Sequence, residues 1–437
     1  MRYMSRPHLI GSAALALVVG ATSACGTSGP GEESGGGSEG GLEVWALEDA
    51  TVNPIVQQGI EQFNESSDVS AELTTYVNDA YKQKLQVAMG SPNAPDVFFN
   101  WGGGNLAQYV NSDQVVNLSP YMEDDPELRE SFLPSVLDVA EIDGEYYGVP
   151  MLGVQPIVLF YNKQVFEDAG IEPPETYADL LDAIDTFKEQ DIIPVSLAGA
   201  QGWTELMWLE YLTDRLGGKG VFDAIAAGEE GSWQDPALLE ALSMCRDLAE
   251  RGAFGSNFSS IDYDNGSASS LLASGKAAMM LMGTWELGTQ TDRNPEFVES
   301  GNFAYTDFPT MEDGEGEPNA IVGNPSNYFS INSDTENEEA AVDFLTNTVT
   351  SDQYVEGLIE AGQVPAVEGI EDQFSSSDTP EFSEFTYNLV SDAPSFTQSW
   401  DQAVDPATAE AMLTNLQQVF LGDTTPEEFG EAMEQQR

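Results

Sequence analysis

Histidine is almost absent from this chain, and basic residues and cysteine are scarce. Among 437 residues there is one His, His8, with two Cys and 14 Lys plus Arg set against 75 Asp plus Glu, for a formal charge of −61. His8 lies in an N-terminal segment expected to be removed, and a chain without histidine cannot run a Ser-His or Cys-His nucleophile or a His-ligated zinc site. The charge rules against nucleic acid and anionic membrane surfaces as partners. Its acids are scattered and form no long block, which reads as a solvated, halophile-like surface. No D-x-D-x-D-G loop is present to hold calcium. No cofactor or metal is implied. Apolar content of 41% is ample for folding, and the length calls for two or more domains.

The first 24 residues read as a targeting segment. Arg2 and Arg6 give a positive start, Leu9 to Ala21 an apolar run too short to span a bilayer comfortably, and Thr22-Ser23-Ala24 small residues before Cys25. This resembles a bacterial lipoprotein signal in which Cys25 is lipidated, with Thr22 where that pattern prefers Leu. Residues 25–41, mostly Gly, Ser and Glu, have little to bury and read as a flexible tether. The expected location is the outer face of the cell membrane. Only Cys245 then remains, on the apolar side of a helical pattern, as a buried thiol with no intramolecular partner.

From Leu42 the pattern alternates strand and helix. Leu42 to Leu47 is a strand delivering Glu48 and Asp49 into a turn, a helix begins near Pro54, Val69 to Val77 alternate as a second strand, and Tyr81, Leu85, Ala88 and Met89 trace a second helix. Pro95 to Asn105, P-D-V-F-F-N-W-G-G-G-N, is the stretch around which the rest is organised. Val97 to Phe99 suit a buried parallel strand, and the glycines open a strand-to-helix turn that carries Asn100 and Trp101, where open α/β sheets collect ligands. A structural turn with Trp101 plugging a gap is the alternative. Asp143-Gly144 marks a hairpin, Val154 to Tyr161 a long strand, Thr176 with Asp179 a capped helix, and Trp203 to Leu216 another helix. Asp235-Pro236 opens a helix that Gly252 closes, and Ala277 to Met282 is a strand leading into Gly283-Thr284-Trp285-Glu286.

Six strings in order carry a resemblance: the L-E-V-W-A-L-E opening; A-P-D-V-F-F-N-W-G-G-G; D-G-E-Y-Y-G-V-P; L-F-Y-N-K at Leu159 to Lys163; G-K-A-A-M at Gly275 to Met279 with G-T-W at Gly283 to Trp285; and Val342-Asp343-Phe344-Leu345. Together with the lipobox they resemble the extracellular solute-binding proteins of carbohydrate ABC importers, family 1, from about Leu42 to the C-terminus. The stretch at Pro95 to Asn105 and Ser399 to Ala403 are most similar to the xylobiose and related oligosaccharide binders of actinobacteria. The resemblance implies an α/β, two-lobe periplasmic-binding-protein-like (type II) fold with about three chain crossings. Those are expected near Leu152 to Ile157, Asn319 to Asn324 and Val364 to Val367. Residues 42–151 with 321–363 would form one lobe and 157–320 with 366–437 the other. The resemblance also implies a sugar in the cleft, membrane permease subunits as partners, and no turnover. A monomer is expected.

A pyranose has apolar C–H faces and a hydroxyl rim, so its site needs flat aromatic surfaces and hydrogen-bonding groups. Trp101 and Trp285 are the candidate platforms from opposite lobes, with Trp203 and Trp400 as further stacking candidates. The core is the competing place for each, and the expected one for Trp208 and Trp233. Glu48, Asp49, Asn100, Asn105, Glu286, Asn324 and Asp401 are the polar candidates, with a cap or solvated loop as the competing role. Tyr161 and Asn162 are expected to pack near the hinge. Two other readings stay open: a glycoside hydrolase with Glu48 and Glu286 as its acid pair, and a receptor lipoprotein serving a sensor kinase or adhesin.

Overall fold

The computed structural model describes residues 40–367 and 369–436. The signal segment, Cys25 and the tether up to residue 39 lie outside the described residues. Among the described residues, no helix is long and apolar enough to cross a membrane.

Among the described residues thirteen short strands follow in chain order: β1 Leu42–Leu47, β2 Ala71–Tyr76, β3 Val97–Asn100, β4 Glu141–Ile142, β5 Glu145–Tyr146, β6 Val149–Pro150, β7 Gln155–Asn162, β8 Ile193–Val195, β9 Ala277–Gly283, β10 Phe303–Thr306, β11 Ile321–Asn324, β12 Tyr328–Ile331 and β13 Phe396–Gln398. They build two main sheets, each with its own apolar core. The first has the order β2-β1-β3-β12-β6, and the second β13-β11-β7-β9-β8, with β10 also on β7. In the first sheet β1 runs parallel to β2 and β3, and β12 closes it antiparallel to β3. Val97, Phe98 and Phe99 are all buried, as a strand covered on both faces requires. The hairpin at Asp143-Gly144 forms β4–β5, with both turn residues at positive φ, 54° and 87°.

In the second lobe local signals and structure coincide closely. Thr176 and Asp179 form a reciprocal capping box, Asp235 caps the helix Pro236–Arg251, and Gly252 ends that helix in the left-handed conformation. Cys245 is buried on it and is free. Trp208 and Trp233 lie in this core. The helix Gly202–Gly217 is buried around its whole circumference from Thr204 to Arg215. The Arg215 guanidinium is spent on backbone carbonyls, donating to Ala320 O at 2.8 Å and Pro309 O at 3.4 Å. The Gly-rich loop after Met311 is thereby pinned onto the end of this helix, so close that a Cβ at Gly316 would lie 1.8 Å from Asp214 O.

The chain crosses between the sheets at residues 151–154 and again at 325–327. The expected lobe limits need three corrections. Ile321 to Asn324, assigned above to the first lobe, pair with β7 and β13 in the second sheet, so that crossing falls after Asn324. Ala366, Ile370 and Phe374, assigned to the second lobe, pack in the first core. The last crossing therefore follows Phe374, where the helix Pro380–Asp392 sends Phe382 to the second core and Tyr387 and Val390 to the first. Tyr161 and Asn162 are at the opposite end of β7 from the crossings: Asn162 caps the helix Lys163–Ala169 and donates to Leu272 O.

Glu205 is 1% exposed, with Oε2 unpartnered, and burial pushes its carboxyl up to about 8. Being raised in the folded state, this group favours folding below the ordinary glutamate range and loses that contribution as the pH rises to about 8. We expect Glu205→Gln to remove on the order of 2–4 kcal/mol of the stability lost between pH 5 and 8.5. Urea denaturation at the two pH values measures it, and an unchanged pH slope would contradict the assignment.

Candidate functional site

A cavity of about 600 Å³ opens between the two sheets. Its first-lobe wall includes the end of β1 with Glu48 and Asp49, together with Lys82 and Trp101. Its second-lobe wall includes Trp203, Tyr263 and Trp285, and Asn324 and Asp401 also line it.

The aromatic surface is concentrated on the second lobe. Trp203 stands at the start of the buried helix, Trp285 at the end of β9, and Tyr263 on the loop between them. Trp203 meets Tyr263 edge-on at 5.3 Å and Trp285 at 6.4 Å with planes 55° apart, and all three rings are partly exposed. The G-T-W string has a local reason: Trp285 folds back over its own strand end, and a Cβ at Gly283 would lie 1.9 Å from the ring. Trp101 reaches the cavity wall but is only 5% exposed. Tyr81 and Phe99 meet it edge-on, and Lys82 Nζ lies 4.8 Å from its centroid. It offers a strip of indole where an open platform was expected, so two platforms facing each other from opposite lobes are not what the structure brings together.

The polar candidates divide. Asp49 Oδ1 accepts from Thr51 N, Thr51 Oγ1 and Val52 N, fixing the turn while the residue also lines the cavity. Asp401, its side chain 6% exposed, lies 3.4 Å from Lys82 and accepts from Gln402 Nε2 at 2.6 Å. Asn324, at the end of β11, has its Oδ1 buried without a partner.

Four candidates do not reach the cavity wall. Trp400 is 1% exposed and stacked on Phe222 at 4.7 Å, because β13 turns its successor residues into the second core. Asn100 is fully buried: its amide donates to Ser330 Oγ and its carbonyl accepts from Gly102 N, which shapes the glycine turn. Asn105 lies on the helix Gly103–Val110, outside the wall. Glu286 is completely buried behind the aromatic corner, accepting from Tyr263 Oη at 3.0 Å and Gln290 Nε2 at 2.6 Å. Burial raises it to about 7 against the pull of these hydrogen bonds. It positions Tyr263 and does not face Glu48 across the cleft, so the acid pair considered for hydrolysis is not assembled.

Sequence reasoning passed over Tyr263, Lys82, Glu210, Asn327 and Gln402, all on the wall. Glu210 had a legible signal, a single acid inside the apolar run L-M-W-L-E-Y-L. Tyr263 sits in a turn-rich D-Y-D-N-G string with nothing to set it apart. Since Trp400 is a core residue, Trp400→Ala is expected to lower the unfolding free energy by about 3–5 kcal/mol. Urea denaturation tests this, and an unmoved midpoint would return Trp400 to the list of exposed rings.

Comparison with known proteins agrees with this architecture. With several relatives the match spans only about half of their length. One of these is the xylose/arabinose-binding protein XacG of Haloferax volcanii, 27% identical over 267 residues, 59% of this chain and 56% of that one. The diacetylchitobiose binding protein DasA of Streptomyces coelicolor is 23% identical over 376 residues, 83% of each chain. A structure from work on xylan utilization by the thermophilic bacterium Caldanaerobius polysaccharolyticus superposes with a TM-score of 0.81 at 26% identity, covering 90% of this chain and 99% of that one. A chitin oligosaccharide binding protein shares the fold, with a TM-score of 0.78 at 22% identity over 90% and 97% of the two chains. Residues 49–355 match the bacterial extracellular solute-binding protein family, and by that match and its two-lobe fold the chain belongs to this family.

Proposed function

We propose that the protein is the substrate-binding lipoprotein of a carbohydrate ABC importer, anchored outside the cell through Cys25 and acting as a monomer. It captures an oligosaccharide, xylobiose or a related one, in the interlobe cleft and hands it unchanged to the permease. The observation that carries this reading is the partly exposed corner of Trp203, Tyr263 and Trp285 on a cavity that also holds buried polar atoms. Covering one pyranose face removes on the order of 50–100 Å² from water, about 1–3 kcal/mol. Each hydrogen bond to a charged group adds about 1.5–3 kcal/mol before ordering costs. Micromolar affinity, about −8 kcal/mol, is within reach of one stacked ring and a few such bonds. The relatives named for xylose and arabinose, and for diacetylchitobiose, support the substrate class. Delivery follows from a population shift: a ligand touching both lobes favours the closed form, which the membrane subunits read.

A thermal-shift screen with xylobiose, cellobiose, maltotriose and N,N′-diacetylchitobiose tests the reading, because a ligand of the native state raises apparent stability. Incubation with the same sugars should release no new reducing ends; their release would point to a hydrolase instead. Trp285→Ala is expected to weaken binding of the responding sugar at least tenfold, about 1.4 kcal/mol, with little change in the ligand-free melting temperature. Calorimetry showing unchanged affinity would remove Trp285 from the site.

A further inference from the structure

Several buried polar atoms of residues on the cavity wall are left unbonded, the Trp203 Nε1 donor and four oxygens among them. Glu210 Oε2, Asn324 Oδ1, Asn327 Oδ1 and Gln402 Oε1 all belong to side chains that line the cavity, and none has a hydrogen-bond partner. The four residues are 1%, 8%, 3% and 5% exposed, so water reaches these atoms poorly. Leaving a buried acceptor unbonded costs about 1–3 kcal/mol, and four together call for a partner.

These oxygens are grouped by the chain crossings. Asn324 pairs in register with Gln155, whose Oε1 accepts from Asn327 Nδ2 at 2.6 Å. Ser399 N donates to Gly323 O, and the next amide, Trp400 N, donates to Glu210 Oε1 at 2.7 Å, leaving Oε2 free. Gln402 follows two residues later, with its amide nitrogen committed to Asp401. The donors of these side chains are thus largely spent on the protein, and the acceptors are left to the cavity.

Resting on the saccharide reading above, we propose that this hinge end of the cleft is a subsite for an uncharged sugar ring, whose hydroxyl protons are read by the side-chain oxygens of Glu210, Asn324, Asn327 and Gln402. A hydroxyl supplies the missing proton and a carboxylate supplies only further lone pairs, so the subsite selects neutral saccharides against uronates. Asp401 on the same wall is paired with Lys82, so the contrast rests on the unbonded oxygens.

Titration calorimetry at pH 7 with xylobiose, cellobiose, maltotriose and N,N′-diacetylchitobiose, set against digalacturonate, tests this. At least one neutral sugar should bind, with digalacturonate at least 100-fold weaker. For the neutral sugar that binds, Asn324→Ala and Gln402→Ala should each weaken affinity about tenfold. The Asn324 carbonyl bonds nothing in the protein, so the melting temperature of ligand-free Asn324→Ala should not fall, which separates lost recognition from lost folding. A neutral sugar binding both variants as tightly as the parent would overturn the subsite and leave the saccharide reading standing. Equal or tighter binding of digalacturonate would overturn the selection against uronates. If no neutral sugar binds, the saccharide reading fails and the subsite with it.

Discussion

Close backbone contact between the chain segments at the hinge is the constraint on which the site depends. Val154 N donates to Val364 O at 2.8 Å, and a Cβ at Gly153 would stand 2.2 Å from that same oxygen. Gly323, at φ +142°, lies similarly close to Gln155, where a Cβ would be 2.5 Å from its carbonyl oxygen. Only glycine allows strands to approach in this way without displacing one of them. Because these segments touch, Gln155 meets Asn324 and Asn327 on the cleft wall although it is far from them in sequence.

A second consequence is an asymmetry between the lobes. The second lobe carries the open aromatic rings and the buried helix Gly202–Gly217, which brings Trp203 and Glu210 to the wall. From the first lobe come the rim, with Glu48 and Asp49, and the Lys82 ammonium over Trp101, which also reaches Asp401 across the cleft. One lobe thus presents the open aromatic surface, while the other supplies charges at its edge.

Buried acids give the second lobe its other character. Glu205, Glu210 and Glu286 are each at most 1% exposed, and all three are raised by desolvation. Polar groups in such places are costly unless they are bonded. Glu286 is bonded and holds Tyr263 in place. Glu210 is half bonded, and its free oxygen faces the cavity. The difference separates an acid that supports the site from one that enters it.

How much of this was legible before the fold was known depends on the range of the interactions. Strand and helix periods, the Thr176 capping box, the Asp143-Gly144 turn and Gly252 are fixed by residues within a few positions of one another, and the structure reproduces them. The two-lobe α/β class and the family were legible from strings in order along the chain. Trp203, Trp285, Asn324 and Asp401 could be nominated from residue type and from their place at element ends. Sequence could not say that Trp400 stacks on Phe222, that Asn100 is consumed by Ser330 and Gly102, or that Ile321 to Asn324 join the second sheet. Those outcomes turn largely on partners distant in sequence, such as Ser330 for Asn100 and Phe222 for Trp400, and a tryptophan suits a core as well as a sugar face. Local chemistry determined the elements and the kind of ligand surface; which rings stay open and which oxygens stay unbonded was decided only when distant segments packed, because burial and hydrogen-bond satisfaction are properties of the assembled neighbourhood.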